Sequence, residues 1–125
     1  MTDSKRLRPK VVCLCGSTRF SAAYQQANLN ETLEGNIVLT IGCDMKSDHD
    51  LFTEMSEEEL NVIKNNLDEL HKRKIDMADE VLVLNINGYI GDSTLGEIEY
   101  ALKHGKKLRW LECPSIKLRE VRDER

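Results

Sequence analysis

The sequence predicts an α/β fold: a three-layer sandwich, flavodoxin-like or Rossmann-like, with a parallel sheet in the order 2-1-3-4. Three observations predict it. Short apolar runs alternate along the chain with longer stretches of helical period. The runs Val11–Cys15 and Val81–Leu84 are continuous rather than alternating, as in strands buried on both faces. Glycines such as Gly16 and Gly35 punctuate the junctions. In a doubly wound sheet of this order, strands one and three lie side by side and their helices go to opposite faces. The loops after those two strands then meet at the crevice where such folds bind ligands.

At 125 residues the chain is read as a single domain, 1–125, with a core of about 10–112 and loose termini. The first strand is Lys10–Cys15, and Gly16-Ser17-Thr18-Arg19 leads into a helix reaching about Leu33. Ser17 or Thr18 is a candidate cap. Phe20, Ala23, Tyr24, Ala27 and Leu29 carry the helical period, and Gly35 stops it. Asn36–Ile41 is the second strand. Cys43–Thr53 is a polar loop in which Asp44, Asp48, His49 and Asp50 crowd together. Their spacing is not that of a calcium loop, and a solvated segment covering the crevice is preferred to a metal. Ser56, with Glu57, Glu58 and Glu59, opens a long helix through a capping box. Leu60, Ile63, Leu67 and Leu70 mark its expected buried face, and it ends near Met77. Glu80–Leu84 is the third strand. The third helix runs from about Thr94 to His104 and the fourth strand from Lys107 to Leu111. A charged tail begins at Pro114 and is helical in pattern from Ile116.

Composition excludes some functions. The net charge of −4 argues against a surface for a nucleic-acid polymer. Lys5, Arg6, Arg8 and Lys10 form only a short basic arm, read as a solvated terminus. No apolar run approaches membrane-spanning or signal-peptide length, so no membrane association and a cytoplasmic location are expected. Cys13, Cys15, Cys43 and Cys113 lack a paired CxxC spacing. They read as buried small hydrophobes, with no metal and no cofactor expected.

The polar groups crowd into the loop after the third strand, Asn85–Glu97. It holds Asn85, Asn87, Tyr89, Asp92 and Ser93, and Glu97 follows one turn into the helix. Two readings of Glu97 compete. Thr94-Leu95-Gly96-Glu97 fits a capping box, in which the carboxylate would return to its own helix start. A Glu turned toward the strand ends would instead be a nucleophile. Gly16-Ser17-Thr18-Arg19 has a similar pair of readings. Free N–H groups, hydroxyls and a guanidinium suit a phosphate, but an ordinary strand-to-helix turn uses the same residues. His71 lies beside the Leu67–Leu70 stripe, facing roughly toward the sheet. It is either a group that orients Glu97 or a substrate hydroxyl, or a boundary histidine with a satisfied hydrogen bond.

Three blocks together resemble the nucleoside 2-deoxyribosyltransferase superfamily, in particular its short 2'-deoxynucleoside 5'-monophosphate N-glycosidases. They are Cys13-Leu14-Cys15-Gly16-Ser17-Thr18-Arg19, Ile75-Asp76-Met77-Ala78-Asp79-Glu80-Val81-Leu82-Val83 and Asp92-Ser93-Thr94-Leu95-Gly96-Glu97-Ile98-Glu99-Tyr100-Ala101. The resemblance covers about residues 10–112. It implies a nucleoside or nucleotide substrate whose N-glycosidic bond is hydrolysed or exchanged, with Glu97 forming a glycosyl-enzyme. It implies a 5'-phosphate held by Gly16, Ser17 and Arg19, and Ser93 near sugar and phosphate. It also implies a homodimer or larger homo-oligomer. Asp92 lies close to the family's acid, one residue nearer the nucleophile. Many members carry Asp on the second helix where this chain has His71, and a Tyr at or beside Cys13 is absent. A non-catalytic nucleotide-binding or regulatory module is the alternative. A related hydrolase of ribonucleotides is a third reading.

Overall fold

The computed structural model describes residues 8–41 and 55–112. The expectations for the acidic loop at Asp44, Asp48, His49 and Asp50, for Cys43 and Cys113, for Lys5 and Arg6 and for the tail after Pro114 lie outside them. The elements are β1 (Val11–Cys15), α1 (Ser21–Leu33), β2 (Ile37–Leu39), α2 (Glu57–Met77), β3 (Glu80–Val83), a 3-10 turn (Ile86–Gly88), α3 (Asp92–Lys103) and β4 (Lys107–Trp110). The sheet is parallel with the order β2-β1-β3-β4, as the sequence predicts.

The continuous apolar runs follow from burial on both faces. Side chains alternate across a strand. Val11, Cys13 and Cys15 therefore face one layer, together with Val81 and Val83 from β3. There they pack with Ile75 and Ala78 from the end of α2 and with Ile98 and Ala101 of α3. Val12, Leu14, Leu82 and Leu84 face the other layer, against Tyr24 and Ala27 of α1. The helices after β1 and β3 thus lie on opposite faces. Where β1 ends, Gly16 lies tightly beside Leu84, which follows β3. A Cβ on Gly16 would come within 3.1 Å of the Leu84 Cβ, so any larger residue there requires Leu84 to give by a few tenths of an ångström.

Three helix details differ from the sequence reading. Neither Ser17 nor Thr18 caps α1. The chain first makes a turn, with Phe20 N–H donating to the Ser17 carbonyl at 3.1 Å. The helix then begins at Ser21 with Phe20 as its N-cap and no side-chain cap bond. On α2 the capping box of Ser56 and Glu59 is formed as expected. The buried face, however, is not the leucine stripe. Leu67 and Leu70 are half exposed, while His71 and Ile75 are buried. Only the last turns of α2 lie deep against the sheet. On α1, Leu29 is exposed and Glu31 is buried, because Arg109 of β4 reaches across to bind it. Among the described residues, no helix is long and apolar enough to cross a membrane.

Candidate functional site

The start of α3 removes the capping reading of Glu97. The N-cap is Gly91 rather than Thr94, and the Leu95 N–H donates to the Gly91 carbonyl at 2.9 Å. Thr94 lies inside the first turn and is buried. The capping box that the sequence suggested is therefore not formed. Glu97 lies further into the helix, beyond reach of the cap, and its carboxylate turns toward the sheet and α2. Its side chain is 13% exposed, and Oε1 lies 3.9 Å from His71 Nε2.

Burial raises the Glu97 carboxyl above the ordinary glutamate range, and the attraction of His71 offsets only part of that. His71 is fully enclosed, not a boundary residue. Its Nε2 faces the Leu14 carbonyl at 3.1 Å, Cys15 Sγ at 3.4 Å and Cys13 Sγ at 3.6 Å. Burial opposes protonation of this ring. A hydrogen bond with Cys13 and the Glu97 charge outweigh it, so the His71 value is raised. The hydrogen bond from Cys15, aided by His71, pulls the Cys13 thiol down to about 6. The same bond and burial push Cys15 up.

Above this buried cluster lies a cleft of about 300 Å³ lined by Asp68, Lys72, Asp92, Ser93, Gly96 and Glu97. The structure thus brings together Glu97, Asp92 and Ser93, with His71 close beneath. Asp68 and Lys72 were not singled out from the sequence. The available signal was spacing: both lie within one turn of His71 on the same helix.

The first loop meets the second without lining this cleft. Arg19 lays its guanidinium over the Tyr89 ring at 4.6 Å, and Phe20 meets the same ring edge-on at 5.9 Å. Tyr24 Oη donates to the Gly16 carbonyl at 2.8 Å, and the Arg19 N–H donates to Ser17 Oγ at 3.3 Å. Thr18 is half-buried in this loop. The first turn of α1 carries no acidic residue. The two loops thus meet at Tyr89, as the strand order predicts, while the cleft beside Glu97 is lined from α2 and α3. Asn85, read from the sequence as a substrate-binding residue of this loop, anchors the main chain. It is buried, and its side chain pairs with the main chain of Glu112 in both directions at 2.9 Å. Asn87 is exposed at the tip of the turn, with φ 55°.

Comparisons with protein-family models, curated proteins and solved structures find no match for this chain.

Proposed function

We propose that the protein binds a nucleoside or its 5'-monophosphate and cleaves or exchanges the N-glycosidic bond. The observation that carries this reading is Glu97: a carboxylate released from capping, mostly buried, and lining a cleft beside a second acid. A nucleophile needs this poise, held in place yet without a cation bonded to it. In the proposed reaction a Glu97 oxygen attacks C1' from the side opposite the base. The C1'–N bond breaks, its electron pair goes to the base, and Asp92 supplies the proton. Water, giving a proton to the Asp92 carboxylate, or a second base then attacks C1', the ester bond breaks, and the Glu97 carboxylate is regenerated. Two inversions leave the configuration retained.

Asp68 and Lys72 are placed to hydrogen-bond sugar hydroxyls on the opposite wall. The open first turn of α1, with Ser17 and Arg19, suits a 5'-phosphate. Tyr89, already stacked on Arg19, is the natural neighbour of a base or sugar. The proposed working form is a homo-oligomer, and the proposed location is the cytoplasm.

The test is a screen of nucleosides and 5'-monophosphates for released base, with and without an acceptor base, on wild type and Glu97→Gln. Wild type is expected to release base. Glu97→Gln should still bind the ligand but turn over roughly a thousandfold more slowly or less, with no glycosyl adduct by mass spectrometry. Binding without base release by wild type would favour a regulatory nucleotide-binding module. Full activity of Glu97→Gln would remove the nucleophile assignment.

A further inference from the structure

Beneath the cleft, an imidazole nitrogen, two sulfurs and a carboxylate converge. Cys13 and Cys15 are fully buried on the same face of β1, two residues apart. His71 descends from α2 and Glu97 from α3. One ring nitrogen, Nε2, faces a carbonyl, two sulfurs and a carboxylate oxygen, all within 3.9 Å. A single N–H can serve only one of them. The Cys15 thiol is likewise shared between Cys13 and Glu97. As thiols the two cysteines serve as donors here; as thiolates they and the imidazole would turn their electron pairs on one point, as the ligands of a cation do.

We propose that Cys13 Sγ, Cys15 Sγ and His71 Nε2 form a zinc site, with the Glu97 carboxylate or a water as fourth ligand. The three donor atoms of the cysteines and histidine lie within 4.8 Å of one another. Tetrahedral zinc with ordinary Zn–S and Zn–N bonds separates sulfur from nitrogen by roughly 3.6 Å. The two sulfur–nitrogen distances are 3.4 and 3.6 Å. The sulfur–nitrogen spacing therefore already matches such a shell. The Leu14 carbonyl gives up its interaction with Nε2, and the ring proton resides on Nδ1. Binding releases the thiol protons to solvent, leaving two thiolates and a neutral imidazole around the ion. Thiolate and imidazole together favour zinc over magnesium or calcium. Glu97 lines both this site and the cleft, so the cleft is the route of entry.

This inference stands independently of the glycosidic reading. Where that reading also holds, zinc bound through Glu97 inhibits turnover by occupying the nucleophile.

The test uses cobalt(II) and zinc on the metal-free, reduced full chain. In a Cys43→Ser/Cys113→Ser background, only Cys13 and Cys15 carry thiols. One equivalent of cobalt should give thiolate charge-transfer absorption and the visible bands of a tetrahedral ion. Zinc should displace both. Adding Cys13→Ser, or separately His71→Gln, should weaken binding by at least about tenfold, as for loss of one ligand-shell interaction. X-ray absorption at the zinc edge gives a readout that does not depend on a buried variant folding. Two sulfurs in the shell are expected. A shell without sulfur, or no stoichiometric cobalt spectrum in the two-cysteine background, overturns the proposal. Because these readouts require no substrate, their failure is distinct from a failure of base release.

Discussion

Glu31 and Glu80 meet Arg109 on the α1 face of the sheet, near the amino ends of its strands. Glu97 meets His71 on the other face, near the carboxyl end of β1. In the first region every charge has a partner. Arg109 donates to both oxygens of Glu31, at 2.7 and 3.2 Å, and through Nε to Glu80 at 2.7 Å. Lys10 lies 3.2 Å from the second Glu80 oxygen, and Asn36 donates to Glu31 at 2.9 Å. Burial alone would raise both carboxyls, but these partners hold them below the ordinary range. In the second region Glu97 is nearly as hidden from solvent and packed more deeply, no arginine or lysine among the described residues is bonded to it, and burial raises its value. The contrast separates carboxylates held by cations from one whose charge is left largely uncompensated.

Breaking the first region should have the largest effect on stability. Arg109→Met leaves two buried carboxylates without their main cation. Losing one partner of a fully buried pair costs roughly 3–5 kcal/mol. Arg109 keeps a third of its side chain in solvent, so a loss of about 2 kcal/mol is expected from urea unfolding. A loss below about 0.5 kcal/mol would make this network decorative.

A smaller effect sharpens the contrast at the helix starts. Both Ser56-Glu57-Glu58-Glu59 and Thr94-Leu95-Gly96-Glu97 have the capping-box pattern, but only the first forms it. Ser56→Ala should cost about 1 kcal/mol. Glu97→Gln should leave stability within about 0.5 kcal/mol of wild type or increase it, because it removes a buried charge and no cap. Equal losses in the two variants would restore the capping role of Glu97.

The two patterns could not be told apart by sequence alone, because both satisfy the same local rule. Helix α3 starts at Asp92 because Gly91 supplies the capping carbonyl, a choice made by the incoming loop. The sheet was more legible. Val11–Cys15 and Val81–Val83 are apolar at every position, and that pattern alone implies burial on two faces. The leucine stripe on α2 misled because its period is helical but only the helix's last turns meet the sheet. The Cys13–Cys15–His71 cluster escaped notice for another reason. Its residues are two apart on a strand and more than fifty apart in sequence, a spacing no local metal motif describes.

The smallest effects concern pH. Glu31 and Glu80 are depressed on folding. The stability they contribute is complete above the unfolded value of 4.5 and lost as pH falls through their folded values. Glu31→Gln should flatten that acid limb. Glu97 is raised on folding, so its contribution has the opposite sign. Stability falls as pH rises from 4.5 through its folded value, and Glu97→Gln should remove that decline. Urea unfolding over the acid range reads both.

Carbon-detected NMR of the glutamate side-chain carboxyls tests the central contrast most directly, because it follows each group in one sample of the wild-type chain. Glu31 and Glu80 should titrate below the ordinary glutamate value and Glu97 above it. Glu97 titrating with or below the other two would contradict the account, since it would mean that this carboxylate is held by a structural partner and is not poised in the cleft.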